Sequence, residues 1–126
     1  EIPGNISARL TAALWRECIQ LAVDGVLDIE DIDRAISVGP ALAWAATGPH
    51  LDHQLAAGDQ SLEVFLAGML GTYEEIWKSL AEWKQLSTED QKRLIRLVDR
   101  AYSKHLPELR EAREQRLVRL LEAMRQ

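Results

Sequence analysis

The chain has 126 residues, a formal net charge of −5, 47% hydrophobic residues and 28% charged residues. That length implies one domain with a moderate core, and the balance is globular rather than disordered. No apolar run approaches the roughly 20 residues of a bilayer-spanning helix, and the acidic charge argues against nucleic acid as the main partner.

The chain opens on Glu-Ile-Pro-Gly-Asn, with no initiator Met and no basic-then-apolar leader, so a fragment of a longer protein is expected. Cys18 is the only cysteine. It can form no internal disulfide and fits a reducing cytoplasm. Charge is unevenly spread: residues 1–75 hold 12 acids and 3 bases, residues 76–126 hold 8 acids and 12 bases. Solvated helix faces account for this. The sharper reading is that the basic part docks on an acidic surface, its own or a twin subunit's.

Helical spacing runs through the sequence. Leu10, Leu14, Cys18 and Leu21 recur on one face of a helix predicted from about Ser7 to Asp24, with Gly25 as its stop. Asp28 is placed to cap the next helix, with Asp31 three residues on as in a capping box, and Ile32, Ala35 and Ile36 as its stripe. Gly39 and Pro40 break the chain before the apolar stretch Ala-Leu-Ala-Trp-Ala-Ala-Thr. Gly48 then leads into Pro49, a good first-turn residue, and a helix lined by Leu51 and Leu55 until Gly58. Ser61 starts a further helix through Leu62, Phe65, Leu66 and Met69, and Gly68 and Gly71 predict a bend or break in it before Tyr73, Ile76, Trp77 and Leu80. Ser87, Thr88, Glu89 and Asp90 form another helix start, followed by Leu94, Leu97, Val98 and Ala101. Pro107 opens the last helix, with Leu109, Leu117, Leu120, Leu121 and Met124. No segment alternates as a strand does, so the expected class is all-α with about six to seven helices.

Chemistry-bearing motifs are scarce. No Gly-x-Gly-x-x-Gly turn or phosphate-cradling loop occurs, so the chain alone is expected to bind no dinucleotide. His50 and His53 lie three apart around Asp52, but no third ligand converges with them and no metal is expected. They read as surface or interface histidines. Trp15, Trp44 and Trp77 lie near apolar stripes and read as core or interface, whereas Trp83 sits in a polar stretch. Arg110, Arg113, Arg116 and Arg119 form either an anion-binding strip or, more plainly, a solvated face paired with Glu111, Glu114 and Glu122.

The run from Ala8 to Ile36, followed by Gly-Pro-Ala-Leu-Ala-Trp-Ala-Ala-Thr-Gly-Pro-His-Leu-Asp-His-Gln-Leu-Ala-Ala-Gly at 39–58, resembles the second domain of 3-hydroxyacyl-CoA dehydrogenases. The nearest branch is that of carnitine 3-dehydrogenase and L-gulonate 3-dehydrogenase (lambda-crystallin). The resemblance covers about residues 3–58, with a looser match beyond. It implies a helical bundle of the 6-phosphogluconate dehydrogenase C-terminal-domain-like type across residues 1–126, which closes a substrate cleft and forms a homodimer. The N-terminal Rossmann domain that binds NAD and carries a catalytic His–Glu pair would lie outside this chain. The parent's reaction would be hydride transfer between a secondary alcohol of a small molecule and NAD.

In that family the first helix begins Gly, Phe, Ile, any residue, Asn, Arg, Leu, and its Asn reaches the reacting oxygen. The ungapped match here is Gly4, Asn5, Ile6, Ser7, Ala8, Arg9, Leu10, which puts Ala8 at the Asn position. Asn5 and Ser7 are the polar neighbours, so Asn5, Ser7 and Ala8 are the candidate substrate-binding residues. No catalytic, cofactor-binding or metal-binding residue is assigned. Asn5 also fits a helix cap. Two other readings stay open: a stand-alone helical interaction module that keeps the fold without activity, and a helical adaptor unrelated to the family.

Overall fold

A computed structural model describes residues 3–125. Its α-helices are α1 (Ile6–Val23), α2 (Ile29–Val38), α3 (Pro40–Thr47), α4 (Pro49–Ala56), α5 (Leu62–Ser79), α6 (Thr88–Tyr102) and α7 (Leu106–Ala123), with a 3-10 turn at Ser103–His105. No strand occurs among the described residues, which agrees with an all-α class. The count of six to seven separate helices needs correction. Gly39 alone divides α2 from α3, Gly48 alone divides α3 from α4, and the 3-10 turn runs α6 into α7, so fewer helices than that stand apart.

The turn after α1 follows from Gly25. Its φ of 71° lies in the left-handed region, which L side chains enter at a cost. Gly25 N–H donates to Ala22 O at 3.1 Å and Val26 N–H donates to Leu21 O at 2.9 Å. These are the paired bonds of a Schellman C-cap, which satisfy carbonyls left open at the helix end. The chain then re-enters helix at Ile29, and Glu30 and Asp31 place negative charge in the first turn of α2. Asp28 occupies the N-cap position, but its side chain makes no capping bond, so the expected capping box does not form. Ser61 likewise stands at the start of α5 without a side-chain cap bond. Ser87 does cap: its Oγ accepts from Asp90 N–H at 3.0 Å and donates to Asp90 Oδ2 at 2.7 Å.

The core sits where α2 and α6 meet the C-terminal half of α1. Ala22, Ile29 and Ile32 form its centre, with Cys18, Leu21, Leu94, Leu97, Ala101 and Tyr102 packed around them. The buried positions of α1 are Ile19, Ala22 and Val23. The expected stripe is thus corrected: Cys18 and Leu21 flank the core, while Leu10 is 66% and Leu14 39% exposed. The physical reason is that only the last turns of α1 have a helix against them. Burial in these turns also pushes the Cys18 thiol up from its ordinary pKa, and the charge of Asp33 adds to it, which disfavours the nucleophilic thiolate. Of the core and interface readings for the tryptophans, the core one does not hold for Trp15, 61% exposed, or Trp77, 54% exposed.

Glycine marks two further departures. α5 runs unbroken through Gly68 and Gly71, so no break occurs there; propensity is a weak prior that helix continuity overrides. At Gly39 the constraint is a close approach, because a Cβ there would lie 2.5 Å from the Ala35 carbonyl oxygen. Backbone cannot yield as a flexible side chain does. Gly39→Ala is therefore expected to destabilise the fold by about 1–3 kcal/mol. By contrast, a Cβ at Gly68 meets nothing within 4 Å, and Gly68→Ala is expected to stabilise by about 0.5–1 kcal/mol. Urea unfolding of the two variants beside the parent chain checks both signs.

The α2–α6 contact carries one polar tie. Tyr102 Oη donates to Asp33 Oδ2 at 2.7 Å. Desolvation raises the Tyr102 pKa from its ordinary value, and the hydrogen bond to Asp33 raises it further. The folded chain therefore holds this proton to higher pH than the unfolded chain does. The contact's contribution is complete below the unfolded pKa of about 10 and is lost as pH rises towards the folded value. Tyr102→Phe is expected to cost about 1 kcal/mol at neutral pH, given the partial exposure of the pair. Unfolding free energies of the two proteins should differ by a constant amount from neutral pH to about pH 9 and converge above about pH 10.

Candidate functional site

The first turns of α1 border an open groove of about 800 Å³. The small side chains of Ala8, Ala12 and Ala13 form its helical wall, Arg9 and Arg16 flank them, and Trp15, Trp83, Lys84, Leu86 and Leu94 complete it. Of the three sequence candidates, only Ala8 lines the groove. Asn5 and Ser7 are exposed outside it. Asn5 Oδ1 accepts from Ala8 N–H at 2.8 Å, so the carboxamide caps α1.

The far wall is built by a tether that no local pattern signals. Ala81 N–H donates to Glu17 Oε2 at 2.9 Å, Trp83 Nε1–H donates to Gln20 Oε1 at 2.8 Å, and Arg16 Nη1 donates to Trp83 O at 3.3 Å. Glu17 and Gln20 lie one turn apart on α1, and Gln20 Nε2 donates onward to Asp24 Oδ2 at 2.6 Å. Together they hold the irregular segment after α5 along α1 and bring Ala81 into the buried set. Trp83 is thereby half-buried with its indole N–H satisfied, which explains an aromatic residue in a polar stretch. Trp83 and Lys84 are groove residues that sequence spacing does not reveal, because their segment lies more than 60 positions along the chain from its contacts on α1.

The other motifs fall elsewhere. His53 does not pair with His50: its Nδ1 donates to Pro49 O at 2.6 Å, and its Nε2 accepts from Tyr73 Oη at 3.1 Å. A carbonyl can only accept, which fixes that tautomer. His53 also meets Phe65 edge-on with centroids 5.3 Å apart, and Tyr73 stacks on Trp77 at 5.9 Å. The histidine is a joint between α4 and α5. Among the described residues no group of three or more His, Cys, Asp or Glu side chains is arranged to hold a metal. Arg110, Arg113, Arg116 and Arg119 are exposed on α7. The ion pairs found among the described residues join Arg34 to Asp31 and Lys78 to Glu75, so the expected pairing with Glu111, Glu114 and Glu122 does not form. No helix among the described residues is long and apolar enough to cross a membrane.

A family model described as "3-hydroxyacyl-CoA dehydrogenase, C-terminal domain" matches residues 4–97. That span takes in α1, the groove and most of α6. Three curated relatives are each named L-carnitine dehydrogenase. The chain is 33% identical to that of Oceanobacillus iheyensis over 97% of its own length and 40% of the relative's. It is 30% identical to that of Nocardiopsis dassonvillei over 98% of the chain and 38% of the relative. Against that of Bacillus cereus it is 46% identical over 52% of the chain and 20% of the relative. The chain therefore spans at most about two-fifths of the length of these relatives.

One prediction follows from the tether. Gln20→Ala leaves the Trp83 indole N–H without its partner and is expected to cost about 1 kcal/mol. Increased quenching of tryptophan emission by acrylamide, with unchanged helix content by circular dichroism, would register release of Trp83 from α1.

Proposed function

The chain belongs to the 3-hydroxyacyl-CoA dehydrogenase family, as its C-terminal domain, and on that premise we propose that it closes the substrate cleft of an NAD-dependent dehydrogenase acting on a 3-hydroxy acid or 3-hydroxyacyl-CoA. Residues 1–126 are one helical domain of the 6-phosphogluconate dehydrogenase C-terminal-domain-like type, and a Rossmann domain lies elsewhere in the parent. The observation that carries this reading is uncovered apolar surface beside the groove. Ile6 is 76%, Leu10 66% and Trp15 61% exposed. Ile6 and Leu10 lie one turn apart on one side of α1 and Trp15 on another; large apolar side chains left exposed around the first half of one helix fit an interaction surface, and the greater length of the relatives fits a further domain to cover it.

NAD needs a glycine-rich strand–turn–helix unit for its pyrophosphate. No strand occurs among the described residues, and the start of α1 is capped by Asn5. The residues of this chain do not fit the cofactor, so no hydride step is assigned to them. Their part is to bind and orient. Ala8 faces the substrate at the position where the family carries Asn, while Asn5 and Ser7 shape the entrance of α1. A homodimer belongs to the same proposal. Val64, Leu66 and Met69 on α5 and Ile95 and Val98 on α6 are between 40% and 66% exposed, and dimer interfaces are apolar at their centres. A cytoplasmic setting fits the free Cys18.

The test uses the full-length parent with NAD and, in turn, carnitine, gulonate, 3-hydroxybutyrate and 3-hydroxybutyryl-CoA. NADH formation with at least one substrate is expected. A folded parent inactive on all of them would reject the reading and favour the stand-alone interaction module. Ala8→Asn restores a donor towards the reacting oxygen and is expected to raise kcat/KM about tenfold on the substrate used best. An unchanged profile with the fold intact would show that position 8 does not face the reacting centre.

A further inference from the structure

We infer that the groove beside α1 is an anion-binding subsite, in which Arg9, Arg16 and Lys84 receive the carboxylate or phosphate of a small organic anion. The inference rests on the dehydrogenase reading for the identity of the natural ligand, but not for the binding itself.

Charge distribution is the first support. Residues 1–75 contain 12 acids but only three bases, Arg9, Arg16 and Arg34. Two of those three line this groove, Lys84 joins them from the tethered segment, and no carboxylate stands among the lining residues. Two of the three cations of an acidic half-chain thus border one concavity. Arg9 and Arg16 are two helical turns apart, so they share a face of α1 at a spacing of about 10 Å along its axis.

Hydrogen-bonding capacity is the second. A guanidinium carries five N–H donors and no acceptor. Arg9 Nη1 donates to Pro3 O at 3.4 Å, and Arg16 Nη1 donates to Trp83 O at 3.3 Å. Each contact orients its head group and leaves most donors open. Neither arginine is in an ion pair among the described residues, where the paired cations are Arg34 and Lys78. Glu82 is the carboxylate that shares a neighbouring hollow with Arg16 and Lys84, and it forms no ion pair with them.

Shape is the third. The alanines at 8, 12 and 13 leave room against the helix between the cations, and Trp15 and Trp83 offer flat apolar walls. An anionic head with a short carbon chain matches that division between charge and apolar surface, and charge-assisted bonds from arginine to carboxylate or phosphate are among the stronger hydrogen bonds.

The two sources of such an anion separate in a titration of this chain. Tryptophan fluorescence is followed as 3-hydroxybutyrate, coenzyme A or the neutral methyl ester of 3-hydroxybutyrate is added. Saturable binding of 3-hydroxybutyrate identifies a free carboxylate as the ligand, and binding of coenzyme A alone identifies a phosphate; either supports the subsite. The double variant Arg9→Ala with Arg16→Ala should weaken that affinity about tenfold or more, while Arg34→Ala leaves it unchanged. Because Arg16 also holds Trp83, the pair Arg9→Ala with Lys84→Ala serves as a second variant that keeps the tether; it should weaken binding too. Absence of saturable binding by both anions overturns the inference, as does equal binding of the neutral ester or unaltered affinity in both double variants. Anion binding here with an inactive parent would reject the dehydrogenase reading alone, and turnover by the parent without anion binding here would reject the subsite alone.

Discussion

The left-handed turn at Gly25 fixes the direction in which α2 leaves α1, and the rest of the packing depends on that return. With two Schellman bonds closing the end of α1, Ile29 and Ile32 come back over Ala22 and make the first buried contact. α6 can then lie across both helices, adding Leu94, Leu97 and Ala101 to the cluster and bringing Tyr102 within hydrogen-bond reach of Asp33. A side chain at position 25 would meet a strained φ rather than a crowded space, since the nearest atom to a Cβ there is an Arg93 nitrogen at 3.8 Å. Backbone conformation, not packing, makes glycine the residue for this turn.

A core anchored at one end of α1 leaves the other end to different work. The first turns of the helix carry exposed Ile6 and Leu10, a wall of alanines and two arginines. Hydrophobic side chains left in water contribute little to the stability of the chain itself, which fits the covering domain proposed above. The same imbalance appears on α7, where Leu109, Leu117, Leu120, Leu121 and Met124 are 40–59% exposed. The fold thus divides into a small, well-connected centre and several exposed apolar helix faces.

What the sequence made legible depends on how local its cause is. The Asn5 and Ser87 caps and the stops at Gly25 and Gly58 are set within a few residues, and the helix pattern follows from them. The stripe on α1 was harder to read, because its apolar residues cover more of the helix than one neighbour can bury; which of them go inside is decided by where α2 and α6 land. Trp83 and Tyr73 lie beyond any local rule. Trp83 is held by Gln20 across 63 positions, and Tyr73 meets His53 across 20. Of the groove residues, Ala8 is the one that the resemblance also singles out, whereas Lys84 becomes visible only when the tether lays its segment along α1.

That groove limits what this chain can do chemically. Its polar side chains are Arg9, Arg16 and Lys84 with the indoles of Trp15 and Trp83, and cations and indole N–H groups donate hydrogen bonds without accepting them. A general base must take a proton within hydrogen-bond reach. His53 is occupied on both ring nitrogens at the α4–α5 joint, and Cys18 is held towards its protonated form. The Glu17 carboxylate is committed to the Ala81 backbone. On the dehydrogenase reading proposed above, proton abstraction from a hydroxyl substrate would therefore come from outside this groove, and recognition of its anionic end from within it. An alanine at position 8 fits that proposed division: the helix wall supplies space with charge at its margins, and the reacting atoms would be left to groups outside this groove.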